Sequence, residues 1–104
     1  MKTPVLLGAG AIAHHLTTLR RAAPDWRVKA RALRIRFEFA DFVDAFGFMT
    51  EVALVAERMQ HHPQWTNEYK TVSIVLSTHS AGGLTELDFR LAKRISAIAH
   101  RPRG

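Results

Sequence analysis

Residues 33–39 read Leu-Arg-Ile-Arg-Phe-Glu-Phe, apolar and charged side chains in turn without a break. Side chains along a strand point to opposite faces with period 2, so the run predicts a strand with one buried and one wet face. Such a strand needs neighbours to pair with and a layer to cover its apolar side. The rest of the chain supplies both.

Asp41 suits the N-cap of a helix that follows at once. From Phe42 to Gln60 the apolar positions Phe42, Phe46, Met49, Val52 or Ala53, Ala56 and Met59 return with helical period, which predicts that they face inward. Gly47 is the one weak position. Pro63 forbids continuation and biases His62 away from helical geometry, so the helix is expected to stop near residue 60 and His61-His62-Pro63 to begin a loop. Residues 65–69 look extended. Residues 71–79 predict a strand, with Val72, Ile74, Leu76 and Thr78 on one face and Ser73, Val75, Ser77 and His79 on the other. Ala81-Gly82-Gly83 makes a turn. Thr85 with Asp88 three residues on approximates a capping box, and Leu87, Leu91, Ile95 and Ile98 line a last helix ending near Ala99. The tail from His100 is expected to fray.

Upstream, residues 11–22 predict a helix carrying Ile12, Leu16 and Leu19 on one face, and Pro24-Asp25 ends it. Residues 26–29 predict a short strand. Gly8 to Ala13 read Gly-Ala-Gly-Ala-Ile-Ala, nominally a dinucleotide fingerprint. That motif needs a strand before it and a βαβ unit after it. Only Val5-Leu6-Leu7 precedes it here, so the match is chance. The order is α-β-β-α-β-β-α. Short links between adjacent strands favour antiparallel pairing. The expectation is one α+β domain over residues 1–104, a four-stranded antiparallel sheet with three helices on one face.

Composition narrows the function classes. There is no cysteine, which excludes disulfides and thiolate chemistry and fits a cytoplasmic setting. No apolar run reaches the roughly 18 residues of a membrane span. Lys2, Val5–Ala13 and Ala11-Ile12-Ala13 caricature a secretory signal, yet cleavage after Ala13 falls short of the usual length of about 15–30 residues. Residues 1–36 hold eight basic side chains against Asp25 alone, whereas the remainder holds seven basic and eight acidic. A basic first third attracts anionic ligands or nucleic acid, or is simply a solvated face. No helix-turn-helix or zinc pattern supports nucleic acid.

Three of the six histidines stand out by context. His61 and His62 sit at a predicted helix exit, and His79 closes a predicted strand before a glycine turn. Element ends let side chains reach a shared cleft on a rigid frame. Glu57, one helical turn before His61, can bring a carboxylate to the pair. Histidine serves as acid or base near neutral pH, since its ordinary pKa is about 6.5. Plain structural roles remain open for each, as for His14-His15. Three histidines could also form a catalytic zinc shell, although adjacent residues rarely ligate one metal together.

The wider pattern is more specific. Glu57-x-x-x-His61-His62-Pro63, five residues, Tyr69, nine residues, His79, eight residues and Asp88 resembles the signature of the pterin-4a-carbinolamine dehydratases. Phe37-Glu38-Phe39-x-Asp41-Phe42, Trp65-x-Asn67, Leu76-Ser77-Thr78-His79 and Gly82-Gly83-Leu84-Thr85 extend the likeness over residues 24–99. It implies the fold already inferred and the dehydration of a 4a-hydroxytetrahydropterin without metal or other cofactor. By the same likeness His61, His62 and His79 are the catalytic acid and base set. Gln60 departs from the pattern, where an acidic residue is common. Glu57, Pro63, Trp65, Ser77 and Thr78 are the expected substrate-binding residues. Pro63 and Trp65 offer flat apolar surface, Ser77 and Thr78 offer backbone groups, and Glu57 steers an imidazole. Asp88 is expected to be a helix cap, and Tyr69 structural. The expected partners are the pterin and further copies of the chain, as a homodimer or homotetramer. A protein partner in gene regulation is the alternative function, and no membrane or nucleic acid is expected.

Overall fold

The structure, a computed structural model, describes residues 4–102. Helix α1 spans Ala9–Ala22, strands β1 and β2 span Arg27–Lys29 and Ala32–Glu38, and helix α2 spans Phe42–Met59. Strands β3 and β4 follow at Gln64–Glu68 and Thr71–Leu76, then a 3₁₀ turn at His79–Ala81 and helix α3 at Glu86–Ala99. The sheet order is β1-β2-β4-β3 and every pairing is antiparallel. This is the α+β architecture expected from the sequence.

The alternation of β2 is realised. Leu33 and Ile35 are buried and pair with Leu76 and Ile74 of β4. Val28, Trp65 and Val72 fall on that same inner face by register. Helices α2 and α3 pack over it, and α1 packs on α3. Trp26, just ahead of β1, is fully buried; its Nε1 donates to Ser96 Oγ at 2.7 Å, tying the sheet margin to α3. Ser96 in turn donates to the Ala92 carbonyl, so neither polar group is orphaned.

Both hairpins turn in two residues. Ala30 and Arg31 hold φ of 53° and 60°, and Tyr69 holds 50°. Two consecutive positive φ values match the right-handed twist of the strands they join, at a steric cost for residues with a Cβ. Asn67 steadies the second turn by donating to the carbonyls of Tyr69 and Thr71.

Two expectations need correction. The inner stripe of α2 is Ala45, Phe48, Val52, Val55 and Ala56, whereas Phe42 and Phe46 are 46% and 56% exposed. The helix is apolar nearly all round, with Val43 and Leu54 outward as well, so period alone cannot choose the face. Phe48 wins because it meets Phe37 and Phe39, with ring centroids 5.3 and 4.8 Å away. Strand β4 also ends at Leu76, so His79 opens a 3₁₀ turn instead of closing a strand. Thr78 diverts the chain: its carbonyl accepts from Ala81 and Gly82 and its N–H donates to Gly83.

Candidate active site

The exit of α2 separates two neighbouring histidines. Gln60 takes the left-handed conformation, φ 53° and ψ 41°, and its N–H returns to the carbonyls of Ala56 and Glu57. The His61 N–H bonds the Ala56 carbonyl at 3.1 Å. This wrapped end stops the helix and turns His61 inward, leaving it 8% exposed, while His62 stays at the surface.

His61 meets a buried carboxylate. Its Nε2 lies 2.6 Å from Asp88 Oδ1. The other oxygen, Oδ2, accepts from the Thr78 hydroxyl at 2.8 Å and from the Thr85 N–H at 2.9 Å. Thr85 Oγ1 lies 2.8 Å from Thr78 Oγ1 and accepts from the Leu87 N–H. Because Thr78 spends its single hydroxyl proton on Asp88, Thr85 is the donor between them. Asp88 and Thr85 thus form the capping box of α3, and the same carboxylate reaches α2's exit and the end of β4. A fully buried carboxylate with three donors is compensated in a way a lone one is not.

His62 meets an exposed partner, Glu57, whose Oε1 lies 2.8 Å from Nε2. A cleft of about 440 Å³ opens beside it, lined by His62, Pro63, Gln64, Val75, Ser77 and His79. Val75 pairs with Gln64 in the sheet, so this cleft lies on the face that the helices leave open. Two imidazoles from segments 17 positions apart therefore share one opening. Among the predicted residues, Pro63 and Ser77 line it too. Glu57 reaches it through His62. Thr78 stands behind it, with its backbone groups used in the 3₁₀ turn and its hydroxyl on Asp88. Trp65 shares Ile74's face and packs against the core. His61 does not line the cleft.

A larger groove of about 510 Å³ runs between α1 and α3. There His15 stacks on Phe89 and lies 3.9 Å from Glu86, beyond hydrogen-bond reach. None of the residues predicted for chemistry lines it.

Gln64 and Val75 are cleft residues that the sequence reading did not single out. The two-residue link Tyr69-Lys70 carried the signal, because it fixes Glu68 opposite Thr71 and, by counting back, Gln64 opposite Val75. The union of His61 with Asp88 left no such trace. Among the described residues no three His, Asp or Glu side chains converge as a metal site.

Comparison with known proteins gives this geometry its context. Residues 7–98 match the family model described as pterin 4 alpha carbinolamine dehydratase. A protein of Bradyrhizobium diazoefficiens, provisionally named a pterin-4-alpha-carbinolamine dehydratase, is 55% identical over 95 residues, 85% of this chain and 95% of its own. The crystal structure of a transcriptional coactivator/pterin dehydratase from Brucella melitensis superposes with a TM-score of 0.81 at 43% identity, covering 89% of this chain and 97% of that one. A pterin dehydratase-like protein identified as a RuBisCO assembly factor in the alpha-carboxysome gives 0.60 at 26% identity, over 74% and 89%.

Proposed function

The chain belongs to the pterin-4a-carbinolamine dehydratase family, and from that premise we propose that it dehydrates 4a-hydroxytetrahydropterin to quinonoid dihydropterin by histidine acid–base catalysis, in tetrahydropterin recycling. The observation that carries this reading is the single cleft shared by His62 and His79.

The reaction needs two proton movements. The C4a–O bond breaks, and its oxygen leaves as water only if it gains a proton, since hydroxide is a poor leaving group. The N5–H bond yields its proton to a base while its electron pair forms the C4a–N5 double bond. One imidazolium and one neutral imidazole facing a common opening match those two tasks. Each positioned group typically contributes about 10²–10⁴-fold. His62 and His79 take these roles, with Glu57 orienting the His62 ring. His61 is a positioning residue, held by Asp88 behind the wall of the cleft. Pro63 and Ser77 meet the pterin, Trp65 supports β3 from below, and Thr78 stiffens the turn that carries His79.

Further copies of the chain are the proposed partners. Helix α2 turns Phe42, Val43, Phe46 and Leu54 to solvent, with Val43 75% and Leu54 62% exposed. Large apolar side chains left exposed along one helix suit a two-fold helix-on-helix contact. No described helix is long and apolar enough to cross a membrane.

The test is stopped-flow absorbance of freshly generated 4a-hydroxytetrahydropterin with and without the protein. Acceleration above the spontaneous rate is expected. Folded protein that leaves the decay unchanged would reject the proposal.

A further inference from the structure

The open face of the sheet carries charge that dehydration does not require. Arg27 stands directly opposite Arg34, Arg34 opposite Val75, and Val75 opposite Gln64. Cross-strand partners share a face, so these four side chains form one row across the sheet. The row ends at Val75 and Gln64, which line the histidine cleft. By the same register Lys29 and Arg36 lie on this face, opposite Ala32 and Ser73.

Like charges directly opposed destabilise an antiparallel pair. Among the described residues none of Arg27, Lys29, Arg34 and Arg36 forms an ion pair. Asp25 and Glu38 share a hollow with Arg27 and Arg36, away from the cleft. Around Arg34 itself the same-face neighbours are Arg27, Ala32, Arg36 and Val75, none of them acidic. Glu57, beside the cleft, is engaged by His62.

Arg34 is also held in place. It is half-buried, and its Nε donates to the Lys29 carbonyl at 3.1 Å, which leaves both terminal guanidinium nitrogens for a ligand. The hairpin that this bond braces is anchored to the cleft, since Ser77 donates to the Arg31 carbonyl at 3.4 Å. A braced guanidinium with further cations beside it and no carboxylate in reach matches a planar or tetrahedral oxyanion.

We infer that the substrate of this cleft carries an anionic side chain, a phosphate ester or a carboxylate, which runs from the histidines past Val75 to Arg34, with Arg27 and Lys29 adding their charge. The inference rests on the dehydratase reading of the cleft and narrows its substrate class.

The experiment is stopped-flow dehydration of three carbinolamines that differ only in the side chain: neutral hydroxyalkyl, its phosphate monoester, and a carboxylate. Wild-type protein is expected to favour an anionic substrate in kcat/KM by about ten-fold or more, chiefly through KM, and the preference should shrink with added salt. Whether phosphate or carboxylate leads identifies the tail. The preference should collapse in Arg34→Gln and return in part in Arg34→Lys. Arg27→Gln, whose side chain holds no hydrogen bond among the described residues, should weaken it less and keeps the test open if Arg34→Gln unfolds. Equal turnover of neutral and anionic substrates overturns the inference and leaves the dehydratase reading intact. No acceleration of any of the three rejects that reading and the inference with it. Salt-steep binding of a labelled oligonucleotide that Arg34→Gln abolishes, without discrimination among pterins, assigns the row to nucleic acid and also overturns the inference.

Discussion

His61 and His62 are adjacent in the chain and differ in almost everything else. The first is buried on a buried carboxylate; the second is exposed on an exposed one. Truncating Asp88 to alanine strands the His61 ring, the Thr78 hydroxyl and the Thr85 N–H together, and breaking a buried pair of this kind costs about 3–5 kcal/mol. Urea unfolding of Asp88→Ala should show that loss, whereas His62→Ala should stay within about 0.5 kcal/mol of the parent, as surface changes do. Activity should divide the residues differently. His79→Ala, at an exposed position, is expected to lower the dehydration rate about 10²-fold or more while thermal unfolding followed by circular dichroism barely moves. An unchanged rate in a folded His79→Ala protein would remove that imidazole from the mechanism.

At the scale of elements, the caps and turns decide where these side chains go. Gln60 ends α2 in a conformation that a Cβ resists, so Gln60→Gly should stabilise the protein by about 0.5–1 kcal/mol, read as a rise in urea midpoint at constant slope. Trp26→Phe trims the buried indole to a smaller phenyl ring and leaves Ser96 Oγ without its donor. A loss of about 2–4 kcal/mol is expected in the same measurement. Much of this level was legible in the letters. The faultless alternation of residues 33–39, Asp41 ahead of α2, Pro63 beyond it and the Thr85–Asp88 pair all act locally, and each sits where its local physics puts it. The inner face of α2 was legible in part: Val52 and Ala56 are buried and Met49 and Met59 pack on the core as expected, whereas Phe42 and Phe46 turn outward because Phe37 and Phe39 of another element draw Phe48 in. The opposite burial of two successive histidines was hidden for a related reason. It follows from one left-handed residue and from a carboxylate 27 positions away. Pro63, Ser77, His62 and His79 come together at the cleft because strand and loop ends place them there. Trp65 goes under the sheet because β3 alternates and Gln64 takes the open side.

For the whole molecule, the exposed apolar side chains of α2 and the bare edges of β1 and β3 leave surface that one copy does not cover. Sedimentation velocity at micromolar concentration should report a dimer or tetramer. Phe46→Asp should shift it toward the monomer, since a charge in a two-fold helix contact meets its own copy. A monomeric parent would withdraw the oligomer proposal without touching the chemistry of the cleft.

The Asp88 carboxylate gathers donors from the exit of α2, the end of β4 and the start of α3. Amide protons at His61, Thr78 and Thr85 therefore belong to one cooperative unit, and hydrogen–deuterium exchange should find them released with a common opening free energy. Freeing the ring of His61 takes from the buried Asp88 one of its three donors, so any loosening of the histidine loop weakens the carboxylate that caps α3.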